Sequence, residues 1–185
     1  MWRKLIETVK VTNARHPPAF AYLRPGVAFV VLFFLLQIGW QCLRGSSVEH
    51  SIIYYGTARP AAFLINLLTP SLHARAFNSD LTAIGGELRI LNGCEGMDAL
   101  LLLLSAFAVA PLSWSAKIRG VLIGALLVFA VNQARILILF YVARADRNLF
   151  EQIHATAAPI AVILAVSGYF YVWLYHSNRR AADTV

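Results

Sequence analysis

Charge is what this chain has least of. Asp, Glu, Lys and Arg make up 14% of its 185 residues, against about 25% in an ordinary soluble domain. Cysteine is also scarce. There are two, Cys42 and Cys94, and the first lies inside an apolar run, so no disulfide framework is expected. No His, Cys and carboxylate ligands cluster, so neither a metal nor another cofactor is expected. What the chain has instead is grease: 59% hydrophobic residues and a mean hydropathy of +0.65. That excludes a soluble globular domain, a disordered chain and a collagen-like one. The net charge is +7. In a membrane protein such a surplus marks cytoplasmic tails, so the expected partner is a lipid bilayer and not nucleic acid.

Four apolar runs stand out. Residues 25–43 (PGVAFVVLFFLLQIGWQCL) carry no charge and follow a basic tail holding Arg3, Lys4, Lys10, Arg15 and Arg24. A signal peptide is rejected because Arg44 follows directly, no small-residue cleavage site is clear, and further runs follow. The others are residues 97–114, 120–143 and 155–176, the last rich in aromatics that suit a membrane–water interface. A fifth run, residues 51–70, is interrupted by Arg59-Pro60. With the N-terminus inside and four spans, nine Lys and Arg fall inside and seven outside or near span ends, while the acids other than Glu7 and Asp183 fall outside. The expected architecture is therefore an all-α polytopic membrane protein. It has a cytoplasmic tail (1–24), a transmembrane helix (25–43), an outer segment (44–96), a three-helix transmembrane core (97–176) and a second cytoplasmic tail (177–185). Residues 51–70 lie on or dip into the outer leaflet.

Polarity rises between residues 70 and 94. Residues 81–84 and 87–91 flank Gly85-Gly86, which reads as a β-hairpin because glycine tolerates the positive φ of a tight turn. The second arm runs into Asn92-Gly93-Cys94-Glu95-Gly96, and an apolar run starts at once. Cys94 is thus expected at a helix N-terminus, where free N–H groups and the helix dipole favour a thiolate and lower a thiol's pKa. Glu95 and Asp98 read as charge stabilisation of that helix start rather than as an acid pair.

Arg135 stands inside the third run. An arginine at the centre of a span costs about 2.5 kcal/mol or more and is a functional candidate by default. Sixteen residues beyond Arg119, or about 24 Å of helix, it falls in the outer part of the membrane. Asn132, three residues earlier, shares its face; with Gln133 beside it the pair suggests a lined cavity, and the plainer reading is an arginine snorkelling to the headgroups. His154 precedes the last run, and Glu151, three residues earlier, is placed to orient or charge the ring. A cysteine, an arginine and a histidine at one membrane depth are the nucleophile, oxyanion stabiliser and base of acyl transfer.

The stretches NGCEGMDALLL, VNQARILILFY and FEQIHATAAP, in that order and with that span placement, resemble the exosortase/archaeosortase family, and the short chain is most similar to the small proteobacterial exosortase H type. The resemblance covers residues 93 to 173 and little before them. It implies an integral-membrane cysteine protease or transpeptidase of the bacterial inner membrane, with its site on the periplasmic side. Cys94, Arg135 and His154 stand at the catalytic positions. The implied substrates are exported proteins ending in a short motif, one transmembrane helix and a basic tail, cleaved through a thioester acyl-enzyme. Two other readings stay open from the residues themselves: a small transporter or channel subunit with Asn132 and Arg135 lining a polar path, and a non-catalytic membrane assembly protein.

Overall fold

The computed structural model describes residues 20–90 and 93–182. Most of the basic N-terminal tail, Asn92 of the cysteine motif and the last three residues lie outside the described residues. Helix α1 (Phe20–Cys42) contains Pro25. After a turn, α2 (Ser47–Ile53) passes through a π-turn (Tyr54–Ala58) into α3 (Arg59–Leu68). Three short strands follow, β1 (Arg75–Phe77), β2 (Asp80–Ala83) and β3 (Gly86–Arg89). Then come α4 (Met97–Val109) and α5 (Trp114–Ala145), and finally α6 (Arg147–Gln152), a second π-turn (Ile153–Ala157) and α7 (Ala158–Ala182).

Among the described residues, three helices are long and apolar enough to cross a membrane: Leu23–Cys42, Trp114–Ala145 and the continuous Arg147–Arg179. The run expected to span over 97–114 behaves differently. Its helix stops at Val109, 13 residues long, and Ala110 is extended, because a residue before proline, here Pro111, is pushed out of the α region. Caps fix the neighbouring ends. The Ser113 hydroxyl accepts from the Ala116 N–H at the start of α5, and the Asp146 carboxylate accepts from Asn148 and Leu149 at the start of α6.

The short α4 is the centre of the bundle and packs against α1, α5 and α7. One face of it rests on a cluster of Ala99, Leu103, Phe107, Val128, Val162 and Val166. Here α5 carries Gly120 and Gly124, one turn apart. A Cβ on Gly120 would lie 2.4 Å from the Phe107 ring, and one on Gly124 would lie 2.6 Å from Leu103 and 2.7 Å from Tyr169. Small residues at this spacing let helix backbones close on one another where the hydrophobic effect gives no drive.

A second cluster lies at the other end of α5. It joins Ile53 and Ala58, Ala61 and Ile65 of α3, Leu81 of β2, Ile90, Cys94, and Ile136 and Phe140 of α5. The expected hairpin is present, with Leu81 opposite Leu88 and Ala83 opposite Gly86, and β1 adds a third antiparallel strand. Only Gly85 of the glycine pair needs positive φ, at +85°; Gly86 belongs to the strand. The Arg144 guanidinium lies over the Phe140 ring and against the turn, 3.0 Å from where a Cβ on Gly85 would be.

Arg59-Pro60 does not interrupt the helix. Pro60 has no N–H for the Gly56 carbonyl four residues back. The backbone widens there into a π-turn, with the Arg59 N–H reaching the Tyr54 carbonyl, and Gln133 Nε2 donates to the stranded Gly56 oxygen at 3.1 Å. The sequence repeats this device. Thr57-Ala58-Arg59-Pro60 and Thr156-Ala157-Ala158-Pro159 both follow the pattern T-A-x-P, and each π-turn begins six residues before its proline.

Candidate active site

The Cys94 loop bridges β3 and α4. Gly93 at φ +86° and Gly96 at φ +83° bend it at both ends, and Gly96 is the N-cap of α4. Three neighbouring carbonyls of this loop are each held by a side chain from another element. Arg135 Nη1 donates to the Gly93 carbonyl at 3.0 Å. Asn132 Nδ2 donates to that of Cys94 at 3.1 Å, and the Thr57 hydroxyl to that of Glu95 at 3.3 Å. The fit at Gly96 is tight, since an added Cβ would lie 3.0 Å from the Asn132 side chain.

Arg135 also donates through Nη2 to the Cys94 sulfur at 3.2 Å. The sulfur lies 3.6 Å from His154 Nδ1. Cysteine, arginine and histidine, 41 and 60 residues apart from the thiol, thus meet in one place. Arg135 is half-buried and does not snorkel; its Nε–H is buried without a partner. Asn132 shares its task, as their common helix face led one to expect. Gln133, next on the helix, turns instead to Gly56.

Cys94 is 6% exposed. Burial pushes its thiol up, the Arg135 charge pulls it down, and the Glu95 charge pushes it up; the net direction is upward from the usual value. The lowering expected from the helix N-terminus is overruled, because desolvation penalises the thiolate more than the neighbouring positive charge repays. The balance of these effects favours the thiol over the thiolate.

Glu151, expected to orient or charge the His154 ring, does not meet it. Its carboxylate is exposed and lies 3.9 Å from Arg147 Nε. The ring that meets His154 belongs to Phe150, stacked face to face at 5.4 Å and 5°. Glu95 has a structural tie of its own. It is buried, and Trp40 Nε1 of α1 donates to its Oε1 at 3.2 Å, while Asp98 accepts from Gln37 at 2.9 Å. These two bonds fasten α1 to the start of α4. Cys42 is exposed on α1 and takes no part. Gln133 and Phe150 lie inside two of the quoted stretches, but their partners Gly56 and His154 were not foreseen; Thr57, Trp40 and Gln37 were not singled out at all. The one available signal was the repeated T-A-x-P around Thr57 and after His154.

A cavity of about 340 Å³ opens beside the cluster, lined by Phe33, Gly93, Asp98, Arg135, Pro159 and Val162 among others. A second, apolar cavity of about 580 Å³ continues between α1, α4 and α7 toward Pro111 and Leu174, and both are walled by Leu102 and Ile163. Among the described residues, no three His, Cys, Asp or Glu side chains gather into a metal site.

No known relative decides the matter. No protein-family model matches the chain, and no curated protein or solved structure shows significant similarity to it. The cluster has to be read by its geometry alone. A thiol, a ring nitrogen within reach of its proton, a guanidinium on the sulfur and an adjoining cleft are the parts of thiol-based acyl transfer.

Proposed function

We propose that this chain is an integral-membrane cysteine protease or transpeptidase of the exosortase type. It acts on exported proteins that end in a motif, a transmembrane helix and a basic tail. The single observation that supports this best is the contact of Cys94 Sγ with both His154 Nδ1 at 3.6 Å and Arg135 Nη2 at 3.2 Å. The substrate helix lies in the apolar groove between α1, α4 and α7, which brings the scissile peptide to the cleft beside Gly93 and Arg135.

His154 Nδ1 takes the thiol proton as sulfur bonds to the scissile carbonyl carbon. The carbonyl electron pair moves to oxygen, and Arg135 stabilises the negative charge as it passes from sulfur to that oxygen. When the tetrahedral adduct collapses, the C–N bond breaks, His154 returns its proton to the leaving amine, and a thioester remains on Cys94. Water or an acceptor amine then adds to the thioester, gives a proton to His154 and releases the thiol. Asn132, Thr57 and Arg135 Nη1 keep the loop fixed through these steps.

In the bilayer we place α1, α4 with its extended tail to Ser113, α5 and α7 as four spans of a bacterial inner membrane. Both termini are then cytoplasmic and the hairpin end periplasmic. Reporter fusions after Ser115 should read cytoplasmic and those after Asp146 periplasmic; the opposite result at either position overturns this placement. The activity itself is tested by co-expressing a tagged candidate substrate with the wild type or with Cys94→Ala and reading the new C-terminus by mass spectrometry. A truncated or transferred product with the wild type alone supports the protease, and identical products from both exclude it.

A further inference from the structure

His154 does not sit on a regular helix. It is the second residue of the π-turn Ile153–Ala157, in which the Ala158 N–H reaches back five residues to the Ile153 carbonyl. Pro159 follows. Proline offers no N–H to the carbonyl four residues earlier, here that of Ala155, and its ring crowds that carbonyl. A π-turn widens the helix and relieves the crowding, at the expense of one extra residue in the turn. The first π-turn does the same ahead of Pro60, with the Arg59 N–H reaching Tyr54. There the widened turn presents Thr57 to the Glu95 carbonyl and the Gly56 carbonyl to Gln133. Pro25, which is not part of a T-A-x-P, has no such turn in the described part of its helix. The device therefore goes with T-A-x-P in the body of a helix, and both copies face the Cys94 loop.

One extra residue in a turn matters for aim. Successive residues on an α-helix are about 100° apart, so closing the π-turn swings everything N-terminal to it by about that angle relative to α7. The helix beyond is anchored, with Val162 and Val166 in the cluster around Phe107. The swing would fall on His154, on its stacked neighbour Phe150 and on the rest of α6. Counting back from Pro159 in a regular helix, the place now held by His154 goes to Ala155.

We propose that Pro159 is a positioning residue for His154: by holding Ile153–Ala157 as a π-turn it faces the imidazole toward Cys94. The catalytic use of that contact rests on the protease reading, but the geometry can be read without it. In a Cys42→Ala background, His154→Cys and Ala155→Cys are each paired with the native Cys94. Each is treated in membranes with a short bis-methanethiosulfonate cross-linker, with Pro159 present or replaced by Ala. With Pro159 present, the His154→Cys protein should cross-link and the Ala155→Cys protein should not. With Pro159→Ala the preference should reverse, which also shows that the bundle is folded. An unchanged preference for position 154, or no cross-link from either position in the alanine background, overturns the proposal.

Cleavage gives the second readout. A displacement of this kind costs about 10²-fold in rate, so Pro159→Ala should lose about that much, and Pro159→Ala/His154→Ala/Ala155→His should recover a substantial part. Recovery by moving the imidazole one position is a result that a merely structural proline would not give. A reversed cross-link in a protein whose wild type cleaves nothing would remove the protease reading and leave the positioning role of Pro159 standing.

Discussion

Helix α5 serves two regions of unlike construction, and both lie on one stripe. Gly120, Gly124, Val128, Asn132, Ile136 and Phe140 recur every four residues and are all buried. At the glycine end the stripe meets Phe107, Leu103 and Tyr169 at close range, and the Tyr169 hydroxyl donates to the Gly120 carbonyl at 2.7 Å. That half is closed by shape. At the other end the stripe meets a loop of carbonyls through Asn132, with Gln133 and Arg135 beside it. There Glu95 Oε2, Asn132 Oδ1, Gln133 Oε1 and Arg135 Nε are buried without partners. An unpaired buried polar group costs about 1–3 kcal/mol. The glycine end holds one such atom, Trp173 Nε1 beside Gly120, so α5 itself carries its unsatisfied polarity near the cysteine and its tightest packing away from it. Close packing and the cysteine cluster are drawn from different turns of one helix.

The two regions should therefore fail differently. The largest effect is expected at the thiol. Cys94→Ala should abolish substrate processing while Cys42→Ala leaves it nearly intact, measured as product at equal protein level; equal loss in both would make the cysteines packing elements. Arg135→Lys comes next. A lysine ammonium cannot reproduce the planar fork that holds the Gly93 carbonyl and the sulfur together, and loss of an oxyanion donor costs about 10²–10³ in rate. The variant should insert normally and cleave at least about a hundredfold slower. A rate within a few-fold of wild type would return Arg135 to a structural role.

Gly124→Ala tests the other half. Its Cβ has no room, and overpacking typically costs about 1–3 kcal/mol. The melting temperature in detergent should fall, while the rate per folded molecule stays close to wild type. A fall in that rate without a fall in stability would break the division drawn above. The smallest effect is a shift in pH dependence. Cys94 alkylation should rise only at pH values above the usual thiol range, because burial holds the proton on. Glu95→Gln removes a charge that opposes the thiolate and should move the rise to lower pH; Arg135→Gln removes one that favours it and should move the rise to higher pH. Shifts of the opposite sign would contradict the roles given to these two charges.

Much of this was legible in the residues. Long uninterrupted apolar runs mark three of the helices, and a Gly-Gly pair between two short runs marks the hairpin. An arginine with an asparagine three residues before it marks the polar face of α5, because helical spacing alone puts them together. What local pattern did not reveal depends on distant partners. Residues 51–70 read as broken at Arg59-Pro60 because the Gly56 carbonyl finds its donor in Gln133, 77 residues away. Glu151 read as the partner of His154 because a regular helix was assumed across a π-turn. Cys94 read as an activated thiol because the helix start is visible in sequence, whereas burial under a helix and a strand sheet is not. Gly120 and Gly124 stood at a recognisable spacing, but only the rings across from them give that spacing a purpose.

The length of α4 has a bearing on where in the bilayer chemistry takes place. Thirteen residues rise about 20 Å, whereas the hydrocarbon layer is about 30 Å thick. In the four-span placement proposed above, residues 110–113 must make up the difference; where they turn aside into α5 instead, Cys94 at the near end would be drawn toward the lipid headgroups. Lipid must thin around the bundle or be replaced there by protein. On the protease reading, a peptide bond would then reach the thiol without being drawn far into water, and hydrophobic mismatch between helix and membrane would set the depth of the cut.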